Sequence, residues 1–178
     1  EFPVNVVSLT GGVNYYLPNT RSSIFNAKLY LTPAPLLMAS EDIVKAMEQE
    51  PSVKQIRHMA TLAQMSIVGI GGVDSNATLL TNGTLNHSDV LLLSMQGAVG
   101  DMLCHFIDKD GNVIQSSLER RLMSTPLEQL KEMSNSIGVA GGSTKSEAIL
   151  AALKGNYLDV LITDETTATN VLRLKNQE

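Results

Sequence analysis

Short aliphatic runs alternate along this chain with segments of helical periodicity. Asn5–Leu9 reads as a buried strand ending at Gly11-Gly12, and Ala27–Thr32 as a second, stopped by Pro33-Ala-Pro35. Ser40 suits a helix N-cap, with the helix over Glu41–Gln49 and Pro51 ending it. Val53, Ile56, Met59 and Ala60 recur at helix spacing and predict a helix from Val53 to Gln64. Ser66–Ile70 predicts a strand running into Gly71-Gly72. Ser88 is placed to cap a helix through Leu91, Leu92, Leu93 and Met95, and Gly97-Ala-Val-Gly-Asp101 follows it.

Phe106-Ile107 and Val113-Ile114 flank Asp108-Lys-Asp-Gly111, a hairpin turn signal. Thr125-Pro126-Leu127-Glu128 predicts a helix start with Thr125 as N-cap and Glu128 placed for a capping box. Further on come a strand (Ser136–Ala140), a helix (Ser143–Lys154) with Gly155 at its end, and a last strand (Tyr157–Thr163). Asp164 is positioned to cap a final helix whose apolar positions include Ala168, Val171 and Leu172. This alternation implies an α/β fold: a mostly parallel sheet with helices on both faces. Ligands of such sheets sit beyond the C-terminal strand ends. The pairs Gly11-Gly12, Gly71-Gly72 and Gly141-Gly142 all follow predicted strands, which would gather them on one rim.

Composition narrows the function. The 178 residues suffice for one domain with a real core, and with 4% aromatic residues and no Trp that core is aliphatic. A formal charge of -5 makes the chain a poor DNA binder by itself. Cys104, the single cysteine, allows no internal disulfide and fits a reducing, cytoplasmic setting. No apolar run approaches the roughly 18 residues of a membrane span. Asn76-Ala-Thr, Asn82-Gly-Thr and Asn86-His-Ser have the glycosylation spacing, but read as a polar loop rich in turn residues.

The chemistry concentrates at Ser136–Gly155, where an apolar strand enters Gly141-Gly-Ser-Thr-Lys145 and the loop opens a helix. Backbone N–H groups at a helix start carry partial positive charge, and a lysine adds a full one. Lys145 is therefore either an anion ligand or a solvated first-turn lysine that opposes the helix dipole. The spacing is not that of a Walker loop, which disfavours ATP hydrolysis. Asp101 follows Gly97-Ala-Val-Gly100 and is either an acceptor for sugar hydroxyls or a helix N-cap. Asp101 and His105 stand four apart and could share a helix face, which is too few ligands for a metal site.

Asp108, Asp110, Asn112 and Glu119 match calcium-loop positions, but Val113 stands where that loop needs glycine, so a hairpin turn is preferred. No nucleophile elbow marks a Ser-His-Asp set, and Cys104, in Met-Leu-Cys-His-Phe, reads as core. No catalytic residues, cofactor or metal are expected.

Several motifs in register carry a family likeness: Val7-Ser-Leu-Thr-Gly-Gly-Val13, Thr32-Pro-Ala-Pro-Leu36, Ile67-Val-Gly-Ile-Gly71, Gly97–Asp108, Gly138–Lys145 and Ala148–Ala168. They resemble the C-terminal effector-binding domain of the SorC/DeoR family of bacterial sugar-responsive transcriptional regulators, over nearly the whole chain. The resemblance implies a Rossmann-like domain related to ribose-phosphate isomerases and glucosamine-phosphate deaminases. It also implies a phosphorylated sugar as effector, assembly into a homodimer or homotetramer, and DNA contact through a separate helix-turn-helix domain. Carried over by position, Lys145 would face the phosphate and Asp101 the sugar hydroxyls. Leu103 would touch the ligand through its backbone, and Gly11 and Gly12 would lie under it.

The family pattern also has that helix-turn-helix and a first strand with a phosphate loop. This sequence is expected to start at the second strand, so residues 1–178 would be the effector domain without those parts. The alternatives are a sugar-phosphate isomerase or deaminase on the same fold, or an assembly module.

Overall fold

The computed structural model describes residues 4–12, 27–73, 78–81 and 83–177. The chain forms two units: Glu1–Ala63 with Arg120–Thr125, and Gln64–Glu119 with Pro126–Glu178.

In the first unit, β1 (Val4–Val7) and β2 (Ala27–Tyr30) pair in parallel. Helix α1 (Glu41–Gln49) starts where expected, with the Ser40 hydroxyl accepting from Ile43 N–H at 3.4 Å. Helix α2 (Pro51–Thr61) follows at once, because Pro51 occupies its first turn, where no N–H is needed. It therefore starts and ends earlier than the expected Val53–Gln64. Met38, Val44, Val53 and Met123 form the unit's core. The Arg120–Thr125 segment is laced in by backbone bonds: Gly11 N–H to Met123 O (2.7 Å), Thr125 N–H to Leu9 O (2.8 Å) and Met123 N–H to Leu36 O (2.8 Å).

The second unit holds five strands in the order β5-β4-β3-β6-β7: β3 (Ser66–Gly72), β4 (Ala98–Met102), β5 (His105–Asp108), β6 (Ser136–Val139) and β7 (Val160–Ile162). The pairs β3–β6 and β6–β7 are parallel, while β3–β4 and β4–β5 are antiparallel. Only β4 is thus reversed, and the sheet is mostly parallel, as the alternation predicts. The helices are α3 (Thr78–Thr81), α4 (His87–Met95), α5 (Leu127–Glu132), α6 (Ser146–Lys154) and α7 (Glu165–Lys175). Helix α6 is the central packing element; Ala148, Ile149, Ala151 and Ala152 are buried to 1% exposure or less. Gly100 of β4 lets it come close, since a Cβ there would collide with Ala148.

Local chemistry moves several expected boundaries. Asn86, not Ser88, caps α4, in a reciprocal capping box with Asp89 (2.9 and 3.0 Å). Asn76 and Asn82 lie outside the described residues. Helix α5 has Pro126 as N-cap with no side-chain cap bond; Thr125 is instead held by its backbone to Leu9. Gly71 and Gly72 belong to β3 itself rather than to a loop after it. The Asp108–Gly111 turn forms as expected, closed by Gly111 N–H to Asp108 O (3.0 Å), with the Asp108 carboxylate accepting from Asp110 and Asn112. Val171 is buried but Leu172 is 61% exposed. No helix among the described residues is long and apolar enough to cross a membrane.

Candidate functional site

Asp101 lies on β4 opposite Gly71 of β3 and Phe106 of β5. It is neither a helix cap nor on a helix face shared with His105, because Ala98–Met102 extends into the sheet. Its carboxylate occupies the space a side chain at position 71 would need. Burial pushes the Asp101 carboxyl up to about 6, against the opposing pulls of the Cys104 N–H, the Lys145 charge and the His105 ring. At neutral pH it is mostly ionised.

The two residues between β4 and β5 are Leu103 (φ 52°) and Cys104 (φ 69°), both left-handed. A two-residue hairpin with that backbone normally carries Asn-Gly. Here the Asp101 carboxylate accepts the Cys104 N–H at 3.2 Å and pins the strained turn from below. Leu103 is half-buried at its apex. The Cys104 thiol is pushed up to about 12 by burial and then by the Asp101 charge, so it stays protonated and is no nucleophile.

Lys145 comes from the other side of β3. Strand β6 ends at Val139, and the chain passes through Gly141-Gly142 into a 3₁₀ turn over Ser143–Lys145 before α6 begins. The expected helix from Ser143 is thus a tandem, 3₁₀ then α. The N-cap of the 3₁₀ turn is Gly142 (φ 105°), which has no side chain to cap the N–H groups that follow. Lys145 is half-buried, and its charge is felt at Asp101. Asp101, the Leu103 turn and Lys145 thus belong to one unit, and the Lys145 charge acts on Asp101. Gly11 and Gly12 belong to the first unit, where the Pro35 carbonyl oxygen would stand 2.5 Å from a Cβ at position 11.

Two residues around the loop escape sequence reasoning. Asp164 caps α7 as expected, but it also accepts Gly142 N–H at 3.1 Å, and the buried Thr167 hydroxyl accepts the same N–H at 2.8 Å. The spacing Asp-x-x-Thr announces a cap; its second use needs the fold. A separate cleft of about 470 Å³, lined among others by Asn112, Gln115, Lys131 and Lys154, has the His105–Glu119 pair (2.7 Å) in its wall. Neither Asp101 nor Lys145 lines it, and its charges are of both signs. Among the described residues, no group of three His, Cys, Asp or Glu could hold a metal ion.

The family model "Putative sugar-binding domain" matches residues 3–173. The transcriptional regulator LsrR of Klebsiella pneumoniae is 36% identical over 174 residues, covering 96% of this chain and 54% of the relative. A DeoR family transcriptional regulator from Listeria monocytogenes superposes with a TM-score of 0.85 at 22% identity, covering 94% of this chain and 68% of the other. The full-length sorbitol operon regulator SorC from Klebsiella pneumoniae gives 0.81 at 24% identity, covering 94% and 57%. The last two likenesses bear on the fold alone. The chain spans about half the length of the curated relatives it matches. The match over residues 3–173 means that the chain belongs to the family of putative sugar-binding domains, to which its curated relatives, transcriptional regulators by name, are similar over almost all of this chain.

Proposed function

We propose that this chain senses a phosphorylated sugar on behalf of a DNA-binding regulator of carbohydrate uptake or catabolism. The observation that carries the reading is a desolvated Asp101, within electrostatic reach of Lys145, in a chain of the sugar-binding-domain family. Asp101 accepts hydrogen bonds from sugar hydroxyls. Lys145 and the uncapped start of the tandem helix take the phosphate. Leu103 meets the ligand through its backbone.

Ligand binding favours one conformational or oligomeric state of a homodimer or homotetramer over another. DNA is held by a separate module, in keeping with the -5 charge of this chain. The regulator works in the cytoplasm.

The test is a thermal-shift screen of phosphorylated and free sugars against the protein, Asp101→Ala and Lys145→Ala. A sugar phosphate should raise the melting temperature by mass action, and each substitution should weaken it by about tenfold or more, the loss of one charge-assisted contact. A shift that survives in both variants would refute the site; no shift with any compound would refute the ligand class. The raised pKa of Asp101 would also suit a general base, as in a sugar-phosphate isomerase or deaminase. Turnover of a sugar phosphate at high protein concentration would establish that second reading, and its absence would end it.

A further inference from the structure

Asp164 and Thr167 lie outside the residues assigned to effector contact, yet they grip the loop that carries Lys145. The Gly142 N–H is shared between Asp164 Oδ2 at 3.1 Å and Thr167 Oγ1 at 2.8 Å. The Thr167 hydroxyl donates in turn to Asp164 Oδ2 at 2.6 Å, and Thr167 N–H donates to Asp164 Oδ1 at 2.9 Å. The bonds close into a ring. Thr167 is 0% exposed, so water cannot stand in for its hydroxyl. Two residues upstream of Gly142, Ala140 N–H donates to Ile162 O at 3.1 Å and extends the β6–β7 ladder to the edge of the loop. Gly141 leaves room for the carboxylate: a Cβ there would stand 2.8 Å from Asp164 Oδ2.

The first half of the loop is thereby fixed to the start of α7, and Ser143 and Thr144 after it are exposed, as Gly141 and Gly142 are. The Gly142 N–H is turned toward α7 and is spent there. On the effector reading, an anion at this loop would meet the N–H groups of Ser143 and Thr144 and the Lys145 ammonium. We propose that Asp164 and Thr167 are positioning residues: they fix the Gly141-Gly142 peptide so that the Ser143–Lys145 turn is presented ready-made to the anionic group of the effector. The proposal rests on the effector reading of Lys145 given above.

The experiment uses the 178-residue chain, Thr167→Val, Thr167→Ser and Asp164→Ala. Amide exchange of Gly142 is followed by NMR, and inorganic phosphate is titrated against the Ser143 and Thr144 amide signals. Thr167→Val should speed Gly142 exchange about tenfold and weaken phosphate by a similar factor, the size of one lost hydrogen bond. Thr167→Ser, which keeps the hydroxyl, should restore both. Asp164→Ala should repeat the Thr167→Val result from an exposed position, and decides the matter if Thr167→Val does not fold. An unchanged Gly142 rate, or faster exchange with unchanged phosphate affinity, overturns the positioning role and leaves the effector reading intact. If phosphate moves no loop amide in the unsubstituted protein, the effector reading falls, and the role falls with it.

Discussion

Asp101 and Asp164 are carboxylates of the same unit, and their surroundings drive them in opposite directions. Asp101 is pushed up to about 6, mainly by burial. Asp164 is held down at about 2, first by the Thr167 hydroxyl and then by the backbone N–H groups of Thr167 and Gly142. One carboxylate is partly withdrawn from water and accepts the Cys104 N–H; the other is exposed and accepts from Thr167 and Gly142. A carboxylate whose donors are all supplied by its own chain is structural. One that is desolvated and short of donors can take them from a ligand. The contrast separates the sugar-facing residue from the loop-holding one better than residue type or exposure does.

The largest effect should come from crowding Asp101. Gly71→Ala puts a methyl group where the carboxylate lies, so the carboxylate or β4 must shift. We expect a loss of about 2 kcal/mol in urea unfolding, typical of overpacking, together with loss of effector binding. An unchanged stability would mean that Asp101 can leave its place freely. Next in size is Asp101→Asn. The folded-state pKa of Asp101 lies above its ordinary value, so the ionised form is disfavoured by folding. The contribution of Asp101 to stability is therefore most favourable below pH about 4 and falls as pH rises to about 6. Asp101→Asn should remove that decline and gain on the order of 2 kcal/mol at pH 7.5, while losing effector affinity. Parallel stability profiles of the two proteins between pH 4 and 7 would break the contrast.

Much of this was legible in the chain. Ser40, Asp164 and Gly155 mark helix ends because capping is a local matter of a few backbone groups. The Gly141–Lys145 loop was legible because strand, glycines, lysine and helix are contiguous. What failed depended on partners far away in sequence. Asp101 looks like a possible helix cap until β3 pairs with β4 and shows it seated over Gly71. Thr125 looks like an N-cap until its N–H is found bonded to Leu9, 116 residues away in sequence. The effector set came from the family resemblance, and the grip of Thr167 on Gly142, across 25 residues, could not be read from either.

A smaller, purely pH-dependent effect should mark Asp164. Its folded-state pKa lies below its ordinary value, so the stability it supplies is present above pH about 4 and is lost as pH falls toward 2. Asp164→Asn keeps a good N-cap acceptor and removes the charge. The melting temperature of the substituted protein should lie below that of the parent at pH 6, and the two should converge near pH 2. A constant offset across that range would show that the carboxylate charge adds nothing to the cap, and that Asp164 is no counterpart to Asp101.

The smallest effect tests whether the turn beside Asp101 is strained for a purpose. Leu103 and Cys104 both adopt left-handed backbone, which costs a non-glycine residue about 1 kcal/mol. Leu103→Gly relieves that cost at the apex, but glycine loses more chain entropy on folding, which takes back part of the gain. A net stabilisation of about 0.5 kcal/mol is expected in urea unfolding. Effector affinity should move the other way, because the leucine backbone is then free to leave the conformation that Asp101 pins through Cys104 N–H. Opposite signs in stability and affinity would show that the strain serves binding. A glycine variant that is less stable and binds equally well would show instead that Leu103 is held for its packing, and that the Asp101 region is as purely structural as the Asp164 one.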